Sequence, residues 1–341
     1  MRKAPVFALL ATLALGACGG SGSQQPAPTL ATASASAQAQ PQKPVVTPEM
    51  LERDPLALFP SGALGMFTLD LRAFYASQST GPLAARLAEK YFPVGAEAGF
   101  SASRDLDRAT GGVYSMQGAD ALVVLVGRFD PAKIQQLADS KTQLHGGGIL
   151  VASPYAGRTL YTVSDVGFTI VSPHLVLAGT KTTIKRALDR LRDGRVQHDA
   201  PAWMLQTLAM AGGSPAASGG GAAVAVALDT KSVPLSQVTG GLPLKGTDGM
   251  TALRLLGNFQ PPGMHVAGAA TYADEAHAKA GAAGLSSVLS STVFTALTAA
   301  LGISVRDLKV TPAHNDAQVA FAIDDASMQN FLSRLPSLFG G

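Results

Sequence analysis

Short runs of β-branched and apolar residues, each closed by Gly, Pro or Asp, recur from residue 65 to residue 324, and stretches of helical periodicity separate them. Runs of this length and composition fit strands. They fall at 65–71, 112–116, 121–129, 149–153, 158–164, 167–172, 175–179, 222–229, 253–259, 264–272, 303–311 and 318–324. Helical spacing appears at 82–91, 131–140, 182–192, 201–211, 274–301 and 326–335. Pro131 and Pro201 open two of these helices behind Asp130 and Asp199, residue types that cap helix starts well. Thr47-Pro48-Glu49 opens a further short helix, which runs to Arg53 before Pro55 stops it. Closely spaced strand pairs mixed with helices predict an α+β fold with largely antiparallel sheets.

A Gly/Ser/Pro-rich stretch at 212–221 divides the chain into two mixed, largely antiparallel sheet-and-helix lobes, 47–211 and 222–341. The halves echo one another in the order β-α-β-β-α. Gly65-Met66 and Gly263-Met264 open strands, Arg104-Asp105-Leu106 and Arg306-Asp307-Leu308 follow the helix, and Asp130 and Asp324-Asp325 stand before the last helix. An internal duplication of this order would resemble the split-βαβ, ferredoxin-like arrangement. The α+β assignment holds with or without it.

The first 46 residues do not belong to that body. Arg2 and Lys3 precede an apolar run at 6–15, too short to span a bilayer, which needs about 20 residues, and suited to a signal peptide. The run ends in Leu15-Gly16-Ala17-Cys18, which resembles the lipobox of bacterial lipoproteins. The resemblance implies a signal peptide over 1–17 and cleavage between Ala17 and Cys18. A diacylglyceryl group would sit on the Cys18 thiol and an acyl group on the new amine. Two or three chains make a stable anchor. Gly19 rather than Asp follows the cysteine, which for such lipoproteins implies sorting to the outer membrane. Apart from Cys18, Leu30, Val45 and Val46, residues 18–46 are Gly, Ser, Gln, Pro, Ala and Thr with one charge, Lys43, and no apolar period. They read as a disordered tether with a reach of roughly 30 Å.

Composition narrows function mainly by exclusion. Cys18 is the only cysteine of 341 residues, so there is no disulfide framework and no multi-thiolate metal site. Aromatics at 6%, with one Trp, argue against stacking on sugars or single-stranded nucleic acid. Of 26 basic side chains, removal of Arg2 and Lys3 leaves 24 against 23 acidic ones, a net charge near +1. No Lys/Arg cluster stands out, so no nucleic-acid partner is expected. Leu58-Phe59-Pro60, the Arg104-Asp105-Leu106-Asp107 segment with Ala109 and Gly111-Gly112, and the paired α+β units resemble a class of exported bacterial proteins of unknown function, over about 54–338. That class implies no site residue.

The chemical motifs are sparse. His145-Gly146-Gly147-Gly148 has the form of an esterase oxyanion segment, but no Gly-x-Ser-x-Gly elbow accompanies it, and it reads as a glycine turn. His145, His174, His198, His265, His277 and His314 lack metal-ligand spacing, and His174 suits a turn after Pro173. No phosphate loop is present. Asp70, Asp229 and Asp324-Asp325 end strands, where capping explains them. Leu285, Val288, Leu289, Val293, Phe294 and Leu297 form a helical apolar stripe that either packs on its own sheet or helps to enclose a groove for an acyl chain or a partner helix. No catalytic residue, cofactor or metal site is assigned. The expectation is a lipid-anchored envelope protein, on a periplasmic or surface face, whose folded part is a non-catalytic binding or scaffolding module for an envelope protein. A carrier of a lipid or other hydrophobic ligand, and an envelope hydrolase with a dispersed site, are the alternatives.

Overall fold

The structure is a computed structural model and describes residues 46–338 apart from 93, 116–119, 146, 164–165, 212–221, 234–244, 262 and 301. The expected signal peptide with Ala17, the expected anchor position Cys18, the expected tether up to residue 45 and the 212–221 stretch lie outside the described residues.

Thr47 caps α1 (Pro48–Arg53) by accepting the Met50 N–H at 3.4 Å. A 3₁₀ turn (Pro55–Leu58) leads to β1 (Gly65–Asp70), α2 (Leu71–Ala76), α3 (Gly81–Tyr91), α4 (Ala102–Asp105), β2 (Leu106–Ser115) and β3 (Asp120–Gly127). Then come α5 (Pro131–Ser140), β4 (Val151–Tyr155), β5 (Arg158–Val163), β6 (Val166–Ser172), β7 (Leu175–Thr180), α6 (Lys181–Arg192) and α7 (Ala202–Ala209). The remainder is β8 (Val224–Asp229), β9 (Met250–Phe259), β10 (Met264–Tyr272), α8 (Glu275–Leu289), α9 (Thr292–Ala300), β11 (Val305–Ala313), β12 (Asp316–Ile323) and α10 (Asp325–Leu338).

All the strands belong to one 12-stranded sheet in the order β11-β12-β10-β9-β8-β1-β2-β3-β7-β6-β5-β4. The fold is α+β with antiparallel pairing, as the alternation of runs predicts. The strands of both lobes share this sheet, because β8 pairs with β1 from Gly65↔Leu228 to Leu69↔Val224. In β3, Leu122 and Val124 face one core and Val123 and Leu125 the other. A central strand covered on both sides has no polar positions to alternate, which explains its unbroken apolar run. On the first face, Ile184 and Leu188 of α6 and Met204 and Leu208 of α7 close over Met66 and Leu177. On the second, Ile134 and Leu137 of α5 close over Leu69, Ala109 and Val176. A smaller core places Ala278 and Ala282 of α8 over Met250, Ala270 and Ala317.

The halves do repeat, but in a different frame from the one the Gly-Met and Arg-Asp-Leu echoes suggest. β1 lies beside β2, whereas β10 lies beside β12, so those strands are not equivalent. The matching frame is a three-strand meander, a helix, and a hairpin whose last strand returns beside the third strand. It reads β1-β2-β3, α5, β6-β7, α6 in one half and β8-β9-β10, α8, β11-β12, α10 in the other, with β4-β5 added to the first. Because β1 and β8 meet antiparallel, an approximate twofold relates the halves. Corresponding caps follow this frame: Asp130 and Asp274 cap α5 and α8, and Thr180 and Asp324 cap α6 and α10. The Arg-Asp-Leu echo does not, since Arg104-Asp105 ends α4 while Asp307 lies inside β11 with φ +51°.

The expected helix over 274–301 is two helices. Ser291 Oγ donates to the Val288 carbonyl at 2.6 Å and accepts the Phe294 N–H, so it closes α8 and caps α9. The two outer strands, β4 and β11, each contain a proline, Pro154 and Pro312. A proline holds ladder register only where the missing N–H would point away from the neighbouring strand.

Candidate functional site

Most of the polar residues singled out in the sequence have structural work. Asp70 caps α2 through the Ala73 N–H at 2.9 Å, and Asp229 turns the chain after β8 by accepting the Lys231 N–H at 3.0 Å. Asp324 accepts the Ser327 N–H at 2.8 Å, and this backbone bond leads the contacts that hold its carboxyl below the usual carboxylate range. Of the glycine segment, Gly147 and Gly148 turn the chain: Gly147 N–H bonds Leu144 O at 2.9 Å, and the two sit at φ +85° and +83°. Its strand begins at Val151 rather than at 149. His145 Nδ1 lies 3.0 Å from Glu97 Oε1. Burial raises the Glu97 carboxyl, but hydrogen bonds led by His145 outweigh it, and the net shift is downward.

Asp199 is a correction. α7 begins after Pro201, which makes no side-chain cap, and Asp199 instead pairs with the buried Arg190 of α6. His174 lies in the β6–β7 turn, as its place after Pro173 suggests, and His198 pairs with Asp54 at 2.8 Å. Among the described residues no group of three His, Asp or Glu is placed to hold a metal ion.

The Arg104-Asp105-Leu106-Asp107 segment is architectural. Asp105 is 6% exposed and accepts from Arg104, Arg128 and the Ser101 N–H. The Arg104 hydrogen bond is the largest of the effects that lower its carboxyl pKa. Asp107 pairs with Arg72 of α2. Gly111 is required by the ring of Phe67, since a Cβ there would lie 2.2 Å from Phe67 Cε1.

The apolar stripe packs only along its first part. In α8 the buried residues are Ala278, Gly281 and Ala282, with Leu285 packed at their edge. Val288, Leu289 and Phe294 are half-buried. The side chains of Val293 and Leu297, the other members of the stripe, lie outside the described residues.

Two concave features stand out instead. The first is an apolar cleft of about 20 Å³ between α5, the sheet and the segment before α4, walled by Phe92, Val94, Phe100, Phe129, Ile134 and Phe168. Phe100 lies between Phe92 and Phe129, at ring-centre distances of 5.1 and 5.7 Å. A space of this size holds about one water molecule.

The second is a groove of about 700 Å³ on the sheet itself. Residues opposite one another in a ladder share a face, so Leu256, Ala267, Ala320 and Lys309 form one row across β9, β10, β12 and β11. Asn258, His265, Ala322 and Arg306 form the next row. This is the face that α6 and α7 cover in the other half. α10, the counterpart of α6, turns away and packs on α3, where Gln329 donates to Ser79 O at 2.8 Å and Leu332 meets Ala84. The groove has a floor of small side chains, the exposed Met210 at one end, and the exposed His265 and Lys309 along it. Neither His265 nor Lys309 has a hydrogen-bond or ion-pair partner among the described residues. Such a surface offers apolar contact and a few unspent donors, which suits binding. Sequence reading passed over it because its lining is spread over four strands, two or three residues from each.

No family model matches the chain, and no curated protein matches it. Among solved structures it is similar to TP0453 in its crystal form III, with a TM-score of 0.51 at 12% identity over 83% of this chain and 98% of that one. Crystal forms I and IV of the same protein give 0.47 and 0.49, also at 12% identity. At this identity the likeness concerns the fold alone.

Proposed function

We propose that the protein is a lipid-anchored envelope protein, held through Cys18 after cleavage behind Ala17, whose folded part is a non-catalytic binding or scaffolding module. The observation that carries the binding role is the face of β9, β10, β12 and β11, where a groove of about 700 Å³ leaves the His265 and Lys309 side chains without a partner among the described residues. The anchor is supported by the sole cysteine standing at the lipobox position. Two experiments test the reading. Cys18→Ser is expected to abolish labelling by radioactive palmitate and to leave the signal peptide uncut, and continued labelling refutes the anchor. A photo-crosslinking residue placed at Ala267 is expected to trap an envelope protein in intact cells, while one at the exposed Thr295 of α9 is not. Absence of adducts at Ala267, or equal adducts at both, refutes the groove as the binding face.

A second reading, a carrier of a hydrophobic ligand, draws on the wholly apolar lining of the cleft under Phe92 and Phe100. At about 20 Å³ the cleft would have to widen to admit an acyl chain. Organic extraction of the purified protein followed by mass spectrometry decides the matter, and an empty extract rejects the carrier.

A further inference from the structure

Residues 181–195 contain six Lys or Arg and two Asp in a chain that is only 14% charged. Three of the cations are spent. Arg190 points inward to Asp199, Arg192 pairs with Asp189 and Asp193, and Arg195 pairs with Asp193. Lys181, Lys185 and Arg186 are exposed on the outer side of α6 and have no acidic partner among the described residues. Their positions are held. The Lys185 ammonium sits 4.9 Å over the Tyr155 ring, the Arg186 guanidinium 5.1 Å over Tyr114, and Arg186 also donates to Ser61 O.

The point at which the chain enters the folded part lies on this same side. Val46 packs against the core cluster that α6 covers, and Met50 of α1 is 48% exposed beside it. Three carboxylates stand beside it: Glu52 accepts from Ser172, Asp54 pairs with His198, and Glu49 lies in the first turn of α1, where the helix dipole favours it. The stretch that the sequence reads as a tether, with a reach of roughly 30 Å, joins the folded part at Val46, on the side that α6 covers.

We propose that the α6 side of the protein is its membrane-facing surface, with Lys181, Lys185 and Arg186 docking on anionic phospholipid headgroups. This rests on the lipid-anchor reading, which brings the surface within reach of the bilayer. The charges would then orient the folded part, α6 toward the lipid and the groove rows of β9 to β12 at the flank of the same side. Surface attraction of this kind is screened by salt.

The test uses the processed chain, residues 18–341, carrying Cys18→Ser, so that no acyl chain contributes. Co-sedimentation is measured with vesicles of phosphatidylglycerol and phosphatidylcholine and with vesicles of phosphatidylcholine alone, at low and at physiological salt. Binding is expected only to the anionic vesicles, and K181Q/K185Q is expected to weaken it about 30-fold. K181R/K185R keeps both charges and is expected to bind as the parent does; far-UV circular dichroism confirms that both variants fold. No sedimentation, equal sedimentation with both vesicle types, or a loss below threefold in K181Q/K185Q overturns the proposal. Retention on polyglutamate without vesicle binding also overturns it and marks the surface as one for an acidic protein. The anchor is read separately by palmitate labelling, so failure of one leaves the other standing on its own result.

Discussion

Asp199→Asn separates two roles for one side chain. Asparagine caps a helix about as well as aspartate, so if Asp199 served α7 as a cap the substitution would cost less than about 0.5 kcal/mol. In the structure Asp199 neutralises Arg190, which is 6% exposed, and the two side chains are 8% and 21% exposed. Removing one partner of a buried pair costs about 3–5 kcal/mol, because the other charge stays in a poor solvent. Here Arg190 keeps the Gln197 carbonyl at 2.8 Å and the Ala57 carbonyl at 3.4 Å, and Asp199 is partly wet. The expected cost is therefore about 2–3 kcal/mol, at or just below the lower limit of that range. Urea unfolding followed by circular dichroism measures it as a lower midpoint at unchanged slope. In a thermal melt of a chain this large, it corresponds to a fall of about 3–5 °C. Arg190 Nε has no partner among the described residues, so R190M/D199L, which removes both charges, is expected to recover more than half of the loss. A loss below about 1 kcal/mol for Asp199→Asn, or a double variant worse than the single one, refutes the argument.

Two further outcomes follow from packing and from acid titration. Gly111→Ala drives a methyl group into the Phe67 ring and is expected to cost about 1–3 kcal/mol in the same urea assay; an unchanged midpoint would mean that the β1–β2 ladder is looser than the register shows. Asp105, Asp130 and Asp324 all have carboxyl pKa values below the ordinary one, through hydrogen bonds led by Arg104, by the Lys133 N–H and by the Ser327 N–H respectively. Groups lowered in the folded state stabilise it fully above the ordinary carboxylate pKa of about 4, and that contribution disappears as the pH falls through the lower folded values. The urea midpoint is thus expected to be level from about pH 7 to 5 and to drop below about pH 4. Asp105→Asn is expected to show a shallower drop, and an identical pH profile would rule out Asp105 as a contributor.

The parts of the fold that local pattern controls were readable in advance. The strand over 264–272 and the helix over 131–140 have the bounds that their periodicity and punctuation suggest. Errors arose where tertiary context overrode the local signal. β2 begins six residues before the expected run, because Asp107 and Arg108 look like loop residues until Arg72 and the β1 ladder are placed beside them. α2 went unseen because Leu71-Arg72-Ala73-Phe74 continues the apolar run of β1, and only the Asp70 cap marks the change of period. The pairing of Asp199 with Arg190 joins residues on separate segments through a buried contact, which adjacency to Pro201 does not reveal. The repeat was detectable as an order of elements but not in its frame, since β10 neighbours β12 only through sheet topology. The groove lay hidden for the same reason. The alanines of its floor, Ala267, Ala320 and Ala322, stand on separate positions of β10 and β12, and nothing in a single strand says that the covering helix has gone elsewhere.

Under the proposed lipid anchor, Pro154 and Pro312 bear on how many copies of this protein one membrane can hold. Anchored molecules are confined to two dimensions and meet repeatedly, and a 12-stranded sheet presents each encounter with two open margins on which a neighbour's strand could add. In each margin one position has no N–H to offer, and in β11 the ladder also breaks step between Arg306 and Lys309, where Asp307 turns the backbone left-handed. Crowding at a surface would therefore bring these molecules together without knitting them into fibres.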